Sequence, residues 1–591
     1  MASTATCANT EHVPQGFKPA EARTTPGVAR IEALFLVYSG RRAHWVLYSC
    51  IGLFAFVFSL QTSTVPTFFV ISTSSFGQHS LLGAITVANT ILAAVVTPFI
   101  AKIADVTSRP RAYLLSLFFM ILGYILTSAS QNVETLAVGQ LFSNIGVSSI
   151  GFINGIVMAD ISPLKWRALA TAIFSAPPIV NAFIAAPIVE GVLGRGVDHW
   201  RWGYAIFLII VPAAMAPTLI VLFWAEIKAQ KLALVAFANN SPVATKASVS
   251  KARTVLAQVQ SYLVFLDVTG LLLVGGAFSL LLLPMTLHNQ LAGGWKDKGI
   301  IIMFVFGSVL LIVFAVWELR FSEKPLMSKQ ILNKTMITSI VISFFYFLAS
   351  TLQILFFSSW VWVAKDYTYS EWTMMNNTLS VGIAAFCLVA GAAMRYTRRY
   401  KRLQLFGEAV LIIGFGVNLY CCRADVSTAA LVLGQILISF GGAFLMLCTQ
   451  TAAQASVKHE NMASAIALLS LWSSLGGAIG NAVATAIWTS ELPKNLAKQL
   501  PDLPAEYLAM IFGSIDLARG SEPAVRARII DAYVDTAYLI WAPALAMSFI
   551  PFIGTLFMEN YYLGETQNAV EDTLITGGPA TLLAEKRCAL V

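Results

Sequence analysis

Eight amide side chains lie deep inside apolar stretches of this chain: Gln140, Asn144, Asn154, Asn181, Gln353, Gln435, Gln450 and Asn481. An amide away from water needs a partner for its donor and its acceptor. It either fastens one helix to another or lines a polar cleft. For Gln140 and Gln435 taken singly the two roles are evenly balanced; together the amides favour a cleft. Tyr204, Tyr346, Trp360 and Trp472 add aromatic faces, although Trp360 fits core packing or an interfacial belt better. The expected ligand-holding set is Gln140, Asn144, Tyr346, Gln353, Gln435 and Trp472. Such a lining is neutral and suits a bulky, roughly uncharged ligand rich in carbonyl oxygens.

Ionisable groups are scarce at depth. Glu190 and Glu408 fall near the ends of apolar runs, and Asp267 lies just inside one. A carrier of small ions or organic cations usually displays a buried charge, which this neutral cleft lacks; were transport coupled to protons, these three carboxylates would be the candidates by elimination. No nucleophile–base pair, metal cluster or phosphate loop is present, which argues against an enzyme and predicts no cofactor and no metal site. Seven cysteines, including Cys50, Cys387 and Cys448 inside apolar runs, form no metal or disulfide pattern.

These side chains must be positioned by spanning helices. The chain is 57% hydrophobic and 12% charged with a mean hydropathy of +0.73, whereas soluble domains carry about 25% charged residues. Apolar runs long enough to cross a bilayer fall near 45–66, 80–103, 112–130, 134–158, 168–190, 202–225, 262–284, 299–317, 336–362, 372–394, 403–421, 428–450, 462–488 and 533–557, fourteen in all. The net charge of +8 fits basic cytosolic loops better than a nucleic-acid partner. Even-numbered connections hold 20 Lys and Arg against 6 in the short odd-numbered ones. Both termini are therefore expected in the cytosol. Residues 1–43 are polar, with Pro14, Pro19 and Pro26, and read as a disordered tail rather than a signal peptide. The terminal Cys588-Ala589-Leu590-Val591 fits a prenylation pattern only formally.

One stretch occurs twice, 295 residues apart: Gly139-Gln140 to Gly146 with Ala168, Ala170, Ala172 and Ser175, then Gly434-Gln435 to Gly441 with Ala463, Ala465, Ala467 and Ser470. Spans 4 and 5 thus match spans 12 and 13, and spans 1–6 match spans 9–14. The expected domains are a tail 1–43, a six-helix bundle 44–225, a cytosolic linker 226–261, an inserted helix pair 262–317, a linker 318–335, a second bundle 336–558 and a tail 559–591. The second bundle includes a long external segment, 489–532, with amphipathic pieces that suit a lid over the mouth. Duplicated bundles of this kind enclose a midplane site and rock about it.

Between spans 2 and 3 the run Ala101-Lys102-Ile103-Ala104-Asp105-Val106-Thr107-Ser108-Arg109-Pro110-Arg111 resembles the loop signature of the major facilitator superfamily. That resemblance implies a cytosolic latch in which Asp105, Arg109 and Arg111 pair at helix ends. Val106 and Ser108 depart from the usual Arg and Gly. Span 5 reads Ala186-Pro187-Ile188-Val189-Glu190-Gly191 where drug antiporters of the superfamily carry a Gly-Pro-x-x-Gly-Gly hinge, so Ala186 and Glu190 replace two of its glycines, and Val138-Gly139 lack their Arg. Both losses argue against a drug antiporter.

Further runs look like the fungal siderophore–iron transporters, a fourteen-span branch: Ser59-Leu60-Gln61-Thr62-Ser63, Thr73-Ser74-Ser75-Phe76, His79-Ser80-Leu81-Leu82, Arg111-Ala112-Tyr113 and, most specific, Trp200-Arg201-Trp202-Gly203-Tyr204. The resemblance covers residues 44–558, with a departure around Lys365–Asn377. It implies an all-α membrane protein of major facilitator fold, arranged as 6+2+6 with pseudo-twofold halves. It implies import of a ferric hydroxamate-type chelate by proton symport at a plasma, endosomal or vacuolar membrane. The expected partners are the iron chelate, protons and the lipid bilayer, with the protein a monomer. A haem, glutathione or drug carrier on the same frame is the alternative, and a non-transporting nutrient receptor would ordinarily carry a long folded cytosolic extension that these tails lack.

Overall fold

The computed structural model describes residues 41–161, 164–231, 267–288, 293–322, 327, 331–423, 425–458 and 461–563. Nearly all of the expected tails, including Cys588, and most of the expected 226–261 linker lie outside these residues. No strand occurs among the described residues.

Fourteen helical segments are long and apolar enough to cross a membrane: Tyr48–Ser75, Leu81–Ala104, Arg109–Ser128, Val133–Met158, Ala168–Leu193, Trp200–Lys228, Thr269–Leu287, Lys298–Phe321, Lys334–Ala364, Tyr369–Thr397, Lys401–Tyr420, Thr428–Ala455, Ser464–Gln499 and Pro523–Phe557. They are numbered spans 1 to 14. Each corresponds to an apolar run read from the sequence. Their connections alternate between an odd-loop face (1–2, 3–4 and so on) and an even-loop face.

Helix starts follow local chemistry. Asn333 accepts the Met336 N–H at 2.8 Å to begin span 9, and Asp297 accepts the Gly299 N–H at 2.8 Å to begin span 8. Thr368 and Glu371 form a reciprocal capping box at the start of span 10. Prolines within helices, such as Pro66 and Pro98, are tolerated because neighbouring helices accommodate the freed carbonyls.

The segment expected as an external loop at 489–532 is largely helical. Span 13 continues to Gln499, and span 14 starts at Pro523. The extension is held by Leu492, Leu496 and Leu500, spaced at a helical repeat and all fully buried. Between the two spans lie short helices Ala505–Gly513 and Ile515–Gly520, here called the lid.

Packing repeats along the chain. Span 3 packs along span 4 as span 11 packs along span 12, and span 2 against span 4 as span 10 against span 12. Span 1 packs on spans 5 and 6 as span 9 packs on spans 13 and 14. The contact is also matched residue by residue. A Cβ on Gly146 would lie 2.5 Å from Met120 of span 3, and one on Gly441 would lie 2.4 Å from Leu411 of span 11. Seven residues earlier, Gly139 meets Thr127 and Gly434 meets Asn418. Between spans 1–6 and 9–14 the extensive contacts are span 2 with span 13 and span 5 with span 10, two pairs that exchange when the groups are swapped.

Span 8 packs chiefly on span 7 and leaves an apolar face outward, with Ile302, Phe306, Ile312 and Leu319 exposed, as expected of a helix against lipid. Span 7 in turn rests on spans 2 and 13.

Candidate functional site

Spans 1–6 and 9–14 are joined at the odd-loop face by hydrogen bonds made between them. Glu190 of span 5 accepts the Ser370 N–H of span 10 at 2.8 Å. The Asn377 amide donates to the Ser63 carbonyl of span 1 at 3.1 Å. His79, in the 1–2 connection, places Nε2 3.0 Å from Ser359 Oγ of span 9. Deeper, Asn481 of span 13 donates to Thr90 Oγ1 of span 2 at 3.1 Å, and Gly83 packs so closely on Thr485 that a Cβ there would lie 2.1 Å from its hydroxyl. The even-loop half of the same seam is a close apolar approach, with Gly391 of span 10 against the Ala168 carbonyl of span 5.

The lid belongs in sequence to the second group yet touches the first. The Gly513 carbonyl accepts the His79 N–H at 3.1 Å. Its other anchors are on span 9 and the connection after it. Asp516 accepts the Trp362 indole N–H at 2.9 Å, and the Arg519 guanidinium stacks over the Trp362 ring at 3.7 Å. Arg526, at the start of span 14, donates to the Val363 carbonyl and pairs with Asp366. Burial pushes the Asp516 carboxyl above the ordinary range, against the indole N–H and Arg519, which pull it down.

The six residues expected to hold a ligand fall into two classes. Gln140 donates to the Tyr204 hydroxyl at 2.9 Å inside spans 1–6, and that ring lies 5.8 Å from the Tyr124 ring. Asn144 donates to the Asn89 carbonyl and accepts from Ser148 Oγ. Both therefore tie helices of one group together. Tyr346 brings its hydroxyl against Gly442 of span 12, where a Cβ would lie 2.5 Å from it. In Gln353, Gln435 and Trp472 the side-chain N–H groups are buried and lack a hydrogen-bond partner among the described residues. The Trp472 ring lies 6.4 Å from Phe344 of span 9.

The expected cytosolic latch resolves only in part. The side chain of Asp105 lies outside the described ones. Arg109 is buried at the start of span 3. Arg111 pairs with Glu226 at 3.4 Å, joining the start of span 3 to the end of span 6 within one group.

Each carboxylate candidate has a distinct setting. Asp267, with a left-handed φ of 46°, accepts from Trp317 Nε1 at 2.9 Å, Ser322 Oγ at 3.0 Å and the Gly270 N–H at 3.3 Å, stapling the two ends of the span 7–8 pair. Glu190 caps span 10, as above. Glu408 is fully buried among spans 11, 12 and 14. Its Oε1 accepts from Gln404 Nε2 at 3.1 Å and Thr555 Oγ1 at 2.8 Å, while Oε2 has no hydrogen-bond partner among the described residues.

Sequence reasoning did not single out His79, Ser359, Ser370 or Asn377 as working residues. Ser370 and Asn377 lie on span 10, Ser359 on span 9 and His79 in the 1–2 connection, and only the fold brings each to its partner in the other group. The one signal was the His79-Ser80-Leu81-Leu82 run, read for its resemblance alone.

A bundle of fourteen spans, in two groups that repeat each other's packing and meet along a seam, defines a multi-pass membrane carrier rather than an enzyme. A Major Facilitator Superfamily model matches residues 47–364. The chain is 35% identical over 564 residues to the siderophore transporter fer7 of Mycosarcoma maydis, covering 93% of this chain and 85% of that one. It is 34% identical over 554 residues to the low affinity heme transporter str3 of Schizosaccharomyces pombe, covering 92% and 87%. It is 31% identical over 562 residues to the MFS siderochrome iron transporter C of Aspergillus fumigatus, covering 94% and 89%. Among solved structures, a bacterial homologue of the lysosomal transporter Spinster matches with a TM-score of 0.50 at 14% identity, covering 88% of this chain and 98% of that one. The chain belongs to the major facilitator superfamily and, within it, to the fungal siderophore–iron transporter family.

Proposed function

We propose that the protein imports a ferric hydroxamate-type siderophore by proton symport, rocking spans 1–6 against spans 9–14 as a 6+2+6 carrier with the 7–8 pair as an insert. Support for the grouping comes from the repeated glycine contacts and from the exchange-related pairs 2–13 and 5–10. The observation that carries the cargo assignment is the set of unpartnered buried donors on Gln353, Gln435 and Trp472. A buried N–H without an acceptor costs about 1–3 kcal/mol, and a ligand bearing many carbonyl and hydroxamate oxygens removes that cost. Asn144 and Tyr346 complete the proposed lining, with Gln140 positioning Tyr204 from behind.

The heme transporter relative favours haem as a second cargo. Haem brings two carboxylates, which call for a cation at membrane depth. The described spans carry Lys and Arg only toward their ends, which favours the neutral chelate.

The basic even-numbered connections support a cytosolic even-loop face and an external odd-loop face. The joined odd-loop seam then corresponds to a state closed to the outside. The coupling proton is assigned to Glu408. Asp267 and Glu190 are engaged as caps, whereas Glu408 Oε2 has no hydrogen-bond partner among the described residues and can carry hydrogen. Asp105, Arg109 and Arg111 remain the proposed cytosolic latch.

The test is radioiron uptake by a siderophore-auxotrophic strain expressing the chain, across several hydroxamate chelates and haem, at two pH values. Saturable uptake of at least one hydroxamate chelate, faster at acidic pH, is expected. No uptake of any of them, with the protein at the membrane, overturns the proposal.

A further inference from the structure

His79 is fully buried, and three parts of the molecule converge on it. Nδ1 lies 3.2 Å from Ser74 Oγ at the end of span 1. Nε2 lies 3.0 Å from Ser359 Oγ of span 9, in the opposite group. Its backbone N–H donates to Gly513 of the lid. The lid approach is tight enough that a Cβ on Gly513 would lie 2.7 Å from the Gly77 carbonyl. These bonds tie both groups and the lid at one residue.

We propose that His79 is the bolt of the odd-loop gate, an imidazole whose protonation releases span 9 and the lid from the first group together. This rests on the alternating-access reading above and adds the residue through which acidity reaches the outer gate. A neutral ring donates from one nitrogen and accepts at the other, so the two serines are satisfied together, with the tautomer free to follow the hydroxyls. A charged ring has two donors and no acceptor, and both serine hydroxyls must then turn their lone pairs to it inside a pocket without a counter-charge.

The charged groups on neighbouring elements are engaged elsewhere. Asp516 holds Trp362, and Arg519 donates to the Tyr367 carbonyl. Lys365 donates to the Val426 carbonyl, Asp366 pairs with Arg526, and Arg201 donates to the Ser130 carbonyl. None supplies a carboxylate to the ring.

Burial holds the imidazole down to about 4 in the closed arrangement, against 6.5 for a solvated one. The closed gate therefore binds this proton less well than the open gate. The bolt is fully set above about pH 6.5 and is withdrawn as pH falls from there toward 4. At pH 5 the closed-to-open ratio falls about twentyfold relative to pH 7. Asp516 has the opposite sign, because burial raises its carboxyl and acidification favours its closed setting.

The experiment reads the gate directly and needs no cargo, so its failure is distinct from a failure of iron uptake. Nitroxide labels on Gln131→Cys and Asp425→Cys, in nanodiscs and with the native cysteines replaced, report the odd-loop distance between groups at pH 7.5 and 5. Hydrogen exchange of residues 74–82 and 505–520 in the otherwise unaltered protein, corrected for intrinsic rates, gives a second readout. A long-distance population that grows at least tenfold on acidification is expected. His79→Gln should remain closed at both pH values and His79→Ala open at both. A wild-type gate indifferent to pH, a His79→Gln gate that still responds, or a response abolished by Asp516→Asn but kept in His79→Gln overturns the proposal.

Discussion

Glu190 on span 5 accepts the backbone N–H of Ser370 at 2.8 Å across the seam between the two groups of helices. The same first turn of span 10 is already capped by Thr368 and Glu371. A carboxylate from one group therefore rests at the positive end of a helix in the other, where it is favoured by both the free N–H and the helix dipole. The position that looked in the sequence like a missing hinge glycine supplies an inter-group clasp.

Removing that clasp should loosen the odd-loop seam. Glu190→Ala is expected to lose about 1 kcal/mol of the closed arrangement, roughly a fivefold shift toward open. Glu190→Gln retains an acceptor oxygen and should shift it by about twofold or less. Reactivity of an engineered cysteine at Asn377 toward an impermeant maleimide measures the shift. Equal reactivity in both variants and in the parent would dismiss the clasp.

The matched glycines make a stability prediction. Gly146→Ala and Gly441→Ala each drive a methyl into Met120 or Leu411 and into backbone at about the same separation. Each should cost about 1–3 kcal/mol and lower the midpoint of thermal unfolding in detergent by a similar amount. A large loss in one with none in the other would contradict equivalent packing of the two helix pairs.

Glu408→Gln keeps the oxygen that accepts from Gln404 and Thr555, so the protein should fold and reach the membrane. It removes the group assigned to the proton. Uptake should fall at least tenfold and lose its dependence on external pH. Full pH dependence in this variant would move the proton to another residue.

Arg111 and Glu226 form an ion pair with one exposed partner, so its strength should be modest. A double-mutant cycle with Arg111→Ala and Glu226→Ala is expected to give a coupling of about 0.5–1 kcal/mol. Glu226→Ala alone should be the milder single change, because Arg111 is exposed enough to be solvated while a lone Glu226 stays buried. Detergent-purified protein and chemical unfolding suffice to measure it.

The sequence by itself determined the spans, their order and the duplicated block. Those features follow from apolar runs of bilayer length and from glycines at fixed spacing, both local along the chain. Span 13 runs past the expected 488 to Gln499 because its extension is amphipathic: Lys494 and Lys498 face outward while Leu492 and Leu496 are buried, a pattern without a continuous apolar run. Tertiary structure decided what each polar side chain does. Gln140 and Gln435 occupy equivalent places in the repeat, yet Gln140 meets Tyr204 and the Gln435 donor meets no partner among the described residues. His79 and Ser359 stand 280 residues apart in sequence and 3.0 Å apart in space. Hydrogen bonds act over about 3 Å, so a polar side chain's role is set by which distant helix faces it, and that arrangement exists only once the bundles have closed together.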